Sequence, residues 1–351
     1  MRARFRTDVF LDFMEALYQQ YFGFAEAPFN ISPDPSFLYL SASHREGLAQ
    51  LSYGIKGRKG FIVLTGEVGT GKTTLIRTLL NELGNTTHTA LIFNTVVSPK
   101  DLMRYVCEEF GLVEIKQVSQ DIHDYIVLLN EFLLATYQRG ENCALIIDEA
   151  QNLSADVLES VRLLSNFETS KDKLLQILLV GQPELAERLN SSELRQLKQR
   201  VTLRYRLRNL SLTESSEYIK NRLRIARGNT ALFTHKAVET IYLYSRGIPR
   251  IINVLCDNGL LTAYALGRGE VDASIIREVA EDLNLRSGAQ PVVILSKDQN
   301  SFNSGKDHPS LGTNGKDGYG SSRMPYVGKT FLGRVRSAFG NSLGRRQKPE
   351  L

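Results

Sequence analysis

The sequence predicts an α/β fold: a parallel sheet covered by helices on both faces, followed by a smaller all-helical unit. Three observations carry this. The first is Gly66-Glu67-Val68-Gly69-Thr70-Gly71-Lys72-Thr73, a G-x-x-x-x-G-K-T loop between an apolar β-branched run and a helical pattern. The second is the alternation of short apolar runs with helical spacings as far as about residue 207. The third is that strand signals then stop, and residues from about 211 to 285 read as helix after helix.

Residues 21–58 mix aromatics and prolines (Tyr21, Phe22, Phe24, Pro28, Phe29, Pro33, Pro35, Phe37, Tyr39) and read as an irregular N-terminal linker ending in a helix near 42–54. Strands are expected at 61–65, 88–94, 143–148, 174–181 and 201–207. Helices are expected near 72–83, 99–110, 121–138, 154–167, 184–190 and 193–199. Near-continuous apolar strands interleaved with helices indicate five strands buried on both faces. The helical unit is expected at 213–227, 234–245, 249–266 and 272–283. The organisation is therefore an N-terminal extension (1–20), a linker (21–58), a nucleotide-binding core (59–208), a helical lid (209–287), a disordered linker (288–328) and a basic tail (329–351). Residues 288–322 hold six Gly, six Ser and three Asn, a composition that does not build a packed core.

Composition narrows the class. With 42% hydrophobic residues in 351, one large or two ordinary domains can each bury a core. Cys107, Cys143 and Cys256 are odd in number and set in apolar segments, so they read as reduced core residues of a cytoplasmic protein. No apolar run reaches the ~18 residues of a membrane helix, and the charged MRARFRTDVFLDFMEAL start is a poor signal peptide. The net charge of +5 is uneven: residues 323–351 hold seven Lys/Arg against Glu350, so the other 322 residues sum to −1.

The chemistry follows from the loop. Glycines let backbone N–H groups of residues Gly66, Glu67, Val68, Gly69, Thr70 and Gly71 wrap inward on phosphate oxygens, with Thr74 closing the first turn of the helix. Lys72 is expected on the β/γ-phosphates and the Thr73 hydroxyl on Mg²⁺. Ala144-Leu145-Ile146-Ile147-Asp148-Glu149 is a buried strand ending in two carboxylates. Asp148 is expected to hold Mg²⁺ through water, and Glu149 to orient and deprotonate the attacking water. Gln182, ending the run Leu178-Leu179-Val180-Gly181, is expected beside the γ-phosphate as its sensor. Arg250 follows Pro249 at a helix start, where a cation opposes the helix dipole; that local cost points to a contact with the γ-phosphate from the lid. Arg200, or else Arg195, in the basic run before the last strand is expected to reach a neighbouring subunit's nucleotide.

These residues in this order resemble the AAA+ ATPases. The blocks "GFIVLTGEVGTGKTTL", "LIIDEAQNLSADVLESVRLLSNFET", "LLQILLVGQPELAERL", "LRQLKQRVTLRYRL" and "SRGIPRIINVLCDNGLLTAYALG" resemble more narrowly the general secretion pathway protein A (ExeA-like) family, from about Tyr21 to Leu285. The resemblance implies a P-loop AAA+ core with a five-stranded parallel sheet, a helical lid, ATP and Mg²⁺ as ligands, and ring or partial-ring homo-oligomers. It also implies service to envelope machinery: type II secretion, pilus assembly or exopolysaccharide export. Relatives acting across the inner membrane carry a transmembrane helix and a peptidoglycan-binding domain. Neither is read here, so the expectation does not extend to threading a secretin through the cell wall. The block Met14-Glu15-Ala16-Leu17-Tyr18 resembles the start of other relatives, which makes Met14 the expected initiator. Phe29, Asn30 and Ile31 are the candidates for adenine contact.

In the tail, Phe331, Leu332, Val335, Phe339 and Leu343 recur at helical spacing among arginines. This suggests a short basic amphipathic helix for an anionic inner-membrane surface or a partner's groove, weakened by its glycines. The rival function is a DNA-dependent helper ATPase of transposition or replication type. The near-neutral body opposes it, since Lys/Arg clusters supply most non-specific DNA affinity. A third reading, a scaffold that binds ATP without hydrolysing it, is opposed by the Asp148-Glu149 pair.

Overall fold

The computed structural model describes residues 17–286, apart from 31–34, 94, 96 and 114–120. The expected initiator Met14, the linker 288–328 and the amphipathic tail 329–351 lie outside the described residues. Five strands, β1 (Phe61–Thr65), β2 (Thr87–Ile92), β3 (Asn142–Ile147), β4 (Leu175–Gly181) and β5 (Val201–Arg206), form one parallel sheet in the order β2-β3-β4-β1-β5. The three central strands are buried at every position, which is why their sequences are continuous apolar runs rather than alternations. Edge strand β5 alternates instead, with Arg204 and Arg206 exposed, a pattern that blunts an open edge.

The two faces of the sheet sort by the period of two. Phe61, Val63, Leu145, Ile147, Ile177 and Leu179 face one core with α3 (Pro99–Glu109), α4 (Ile122–Gln138), α5 (Ala155–Leu164), α6 (Pro183–Leu189) and α7 (Arg195–Arg200). Ile62, Leu64, Ala144, Ile146, Leu178 and Val180 face the other with α1 (Ala42–Lys56) and α2 (Lys72–Leu83). Helix starts are set by Ser41, Ser98 and Ser154, whose hydroxyls accept the N3 backbone N–H of α1, α3 and α5. The three described cysteines are free and buried; burial pushes the Cys107 and Cys143 thiols up to about 12 and about 11. Among the described residues no helix is long and apolar enough to cross a membrane.

After β5 the chain is helical: α8 (Leu212–Ile225), α9 (His235–Ser245), α10 (Pro249–Ala265) and α11 (Ala273–Asp282). α8 opens with a complete capping box between Ser211 and Glu214. The segment read as a linker is divided between two cores. Its helix α1 lies on the sheet, while its Phe24, Phe29 and Phe37, with Tyr18 of the N-terminal extension, are buried inside the helical unit with Leu223, Phe233 and Ile252. The four helices do not close their own core, and N-terminal aromatics complete it. Phe29 stands edge-on to Phe233 at 5.8 Å, Tyr18 donates to Asp257 Oδ1 at 2.6 Å, and the Ala25 N–H donates to the Ala226 carbonyl at 2.9 Å.

Because Phe29 is wholly buried in that core, Phe29→Ala is expected to destabilise the helical unit by about 3–5 kcal/mol. Urea unfolding followed by tyrosine fluorescence checks this. A loss below ~1 kcal/mol would mean that the segment only lies on the surface.

Candidate functional site

A strand buried on both faces admits charge only where it ends. The carboxyl ends of β1, β4 and β3 lie side by side, with Thr65 opposite Gly181 and Ile147 opposite Leu179. Residues that follow these three strands are therefore neighbours although far apart in sequence. Because β4 lies between β1 and β3, Gln182 falls between the glycine loop and the Asp148-Glu149 pair.

The loop runs from Gly66 into α2, whose start is the left-handed Gly71. Lys72 is buried, and its Nζ donates to the carbonyls of Gly66 at 2.9 Å and Glu67 at 3.1 Å. Burial lowers the Lys72 pKa, and the nearby Glu149, Asp148, Glu67 and Glu184 oppose that shift. Thr73 Oγ1 donates to Asp148 Oδ2 at 3.1 Å. The other Asp148 oxygen accepts the Glu149 N–H at 2.9 Å. Burial raises the Asp148 pKa, while these two hydrogen bonds lower it. A hydroxyl paired with a carboxylate is a hard-oxygen donor set, which fits Mg²⁺ held by one or two protein groups together with phosphate and water.

The helical unit touches the loop directly. The Arg250 N–H, at the start of α10, donates to the Gly69 carbonyl at 3.3 Å. Gly69 has φ +81°, and a Cβ there would lie 2.6 Å from Arg250 Cβ, so both backbone shape and contact exclude a side chain. A cleft of about 420 Å³ opens between them. The loop residues Val68 to Thr74, Glu149 and Arg250 line one end; Asn30, Phe37, Leu38, Tyr39, Tyr218 and Asn253 line the other. Of the adenine candidates, Asn30 lines the cleft, and Ile31 lies outside the described residues. Phe29 is instead a core residue, because its ring is taken up by Phe233.

Gln182 Nε2 lies 3.2 Å from Glu149 Oε2. Arg200 is not brought to this cleft. It precedes β5 at the opposite edge of the sheet, partly exposed, donating to Ser165 Oγ at 3.0 Å; Arg195 is exposed at the start of α7.

Three groups of site residues carry no motif. Gln151 Nε2 lies 2.5 Å from Glu149 Oε2; its one sequence signal is its place two residues after Glu149. His44 on α1 lines the same cleft and braces the loop. Its Nε2–H donates to the Thr70 carbonyl at 3.1 Å and its Nδ1 accepts from the Ser41 hydroxyl at 2.7 Å. Arg222 on α8 is buried at the far end of the cleft. It donates to the carbonyls of Pro28 at 2.5 Å and Asn30 at 3.3 Å and to Tyr218 Oη at 2.7 Å, with its guanidinium over the Phe37 ring. Tyr218 Oη in turn donates to Asn253 Oδ1 at 2.8 Å.

The chain is similar to known proteins over this whole region. A sequence profile of the AAA domain matches residues 55–189. General secretion pathway protein A of Aeromonas hydrophila is 44% identical over 255 residues, 73% of this chain and 46% of that protein. The chain thus spans about half the length of this relative. Among solved structures, the ORC2 protein of Aeropyrum pernix in its ADPNP-ADP complexes aligns with a TM-score of 0.55 at 17% identity, over 74% of this chain and 72% of that one. Cdc6p of Pyrobaculum aerophilum aligns with a TM-score of 0.54 at 17% identity, over 71% of each chain. These two structures show the fold alone.

Burial holds the His44 pKa below that of a free imidazole. The unfolded chain therefore binds this proton more readily, so stability is full above ~6.5 and is lost as pH falls below it. His44→Gln keeps a donor for Thr70 and removes the titration. Urea midpoints at pH 7.5 and 5.5 are expected to differ less in this variant than in the wild type.

Proposed function

This chain is an AAA-domain protein homologous to general secretion pathway protein A, and on that premise we propose that it binds and hydrolyses ATP to drive assembly or operation of bacterial envelope machinery. One observation carries the ATPase reading. Lys72, Thr73, Asp148, Glu149 and Gln182 meet at one edge of the sheet, and Arg250 of the helical unit reaches the same loop.

In this reading the loop N–H groups and Lys72 hold the phosphates, with Lys72 exchanging its two loop carbonyls for phosphate oxygens. Thr73 and Asp148 would hold Mg²⁺, which would supply positive charge to offset that developing on the phosphates. Glu149 takes a proton from water as the water oxygen bonds the γ-phosphorus. The bond to the bridging oxygen breaks, and ADP leaves with that electron pair. Gln182 senses the γ-phosphate, and Arg250 couples it to the position of the helical unit. The adenine lies toward Asn30, Tyr39 and Asn253. Arg200 faces away from its own loop, so it serves the nucleotide of a neighbouring copy in a ring or partial ring. The location is cytoplasmic, with peripheral contact at the inner membrane through the basic tail. The 44% identity to a secretion-pathway protein supports the envelope role over DNA-dependent help, as does a body that carries no net positive charge.

Glu149→Gln is expected to lower kcat for phosphate release by about 10²–10⁴-fold while leaving nucleotide binding intact. Lys72→Ala is expected to lose binding itself. A Glu149→Gln variant that hydrolyses at the wild-type rate would remove the base assignment. The role is tested by capture from lysate with Glu149→Gln in ATP, alongside ATPase assays with and without DNA. Secretin, pilus or polysaccharide-export components support the envelope reading; strong DNA stimulation with transposition or replication proteins overturns it.

A further inference from the structure

Glu149 opens a tight turn with left-handed backbone, φ 52°, unusual for a residue with a side chain. That turn places its carboxylate between two amides. Oε2 accepts from Gln151 Nε2 at 2.5 Å and from Gln182 Nε2 at 3.2 Å. The Gln151 side chain is fixed at its other end too, since its Oε1 accepts the Gln182 backbone N–H at 3.1 Å. That contact settles which end of the amide faces Glu149, because an N–H must meet a carbonyl oxygen. The Gln151 carbonyl also accepts from the Arg188 guanidinium of α6. Gly181 leaves room for this arrangement; a Cβ there would lie 2.7 Å from Gln151 Oε1. Gln151 is thus anchored to α6, to the end of β4 and to the carboxylate.

We propose that Gln151 is the positioning residue for Glu149. It holds Oε2 and leaves Oε1 for the attacking water, and it keeps that hold when Gln182 turns to the γ-phosphate. The two amides differ in the way this division of labour needs. Gln151 makes the shorter bond and is braced at its own backbone by Arg188. The Gln182 amide makes the longer bond and has the γ-phosphate as its proposed second partner. Hydrogen bonds to a charged group are strong enough to set the orientation of a short side chain. This inference rests on Glu149 being the base.

The test compares Gln151→Leu and the similarly long Gln151→Met, neither of which can donate to Oε2. Each is measured in otherwise wild-type protein and in the Glu149→Gln background. The expected result is a kcat lowered about 10- to 100-fold, with KM for ATP and affinity for a fluorescent ATP analogue within about twofold. In the Glu149→Gln background the same substitutions leave the residual single-turnover rate unchanged, because their effect runs through the carboxylate. A purely structural brace would instead lower both rates together and weaken nucleotide binding. The inference is overturned if the Gln151 variants hydrolyse like wild type while Glu149→Gln does not, or if they lower the Glu149→Gln residual rate by the same factor. Wild-type hydrolysis by Glu149→Gln overturns the base assignment itself, and the inference with it.

Discussion

The site depends on one constraint: a strand covered on both faces has nowhere to put a charge except at its end. β1, β3 and β4 are apolar and buried from first residue to last, apart from Thr65, Asn142 and Gln176. Asn142 and Gln176 are satisfied by hydrogen bonds at the amino edge. Everything reactive is therefore concentrated at the carboxyl edge, within a residue or two of where burial stops. The same burial acts on both signs of charge there, lowering the Lys72 pKa and raising that of Asp148. Each charge is costly alone, so each gains from the other and from a charged ligand between them.

The sheet, its helices and the glycine loop were legible because their signals are local. A buried run of five to seven apolar residues, a hydroxyl before a helix and a glycine spacing each speak for themselves. Observed strands and helices fall within a few residues of the expected ranges; β2 ends at Ile92 rather than 94 and α5 at Leu164 rather than 167. What was not legible depends on pairings across the fold. Nothing near His44 announces that its ring meets Thr70, 26 residues away. Arg222 reads as one more arginine on a helix, until Pro28 and Asn30 close over it from 194 and 192 residues earlier. Phe29 looked exposed to a ligand because its partner, Phe233, lies in another part of the chain. Gln151 sat beside a strong motif, but its target could be read only once the turn at Glu149 was seen.

The loop is gripped from two sides. His44 holds the Thr70 carbonyl from α1, on the sheet's own side. Arg250 meets the Gly69 carbonyl from the helical unit. Neighbouring peptide groups thus answer to different bodies. A shift of the helical unit would reach the loop at Gly69 through Arg250 and at Thr70 through α1, whose Ala42 N–H donates to Glu214 of α8 at 3.2 Å. That is a short mechanical path between the glycine-loop end of the cleft and the four-helix unit.

The burial of Tyr18, Phe24 and Phe29 within the helical unit has a consequence for how the chain is made. Tyr18 bonds Asp257 across 239 residues of sequence. At ribosomal speeds of about 5–20 residues per second, these aromatics wait roughly 10–50 s before their partners emerge. The whole sheet has time to form in that interval while this segment stays uncovered. A segment made before the sheet is therefore among the last to find its place. During synthesis it is an exposed apolar strip suited to a holding chaperone.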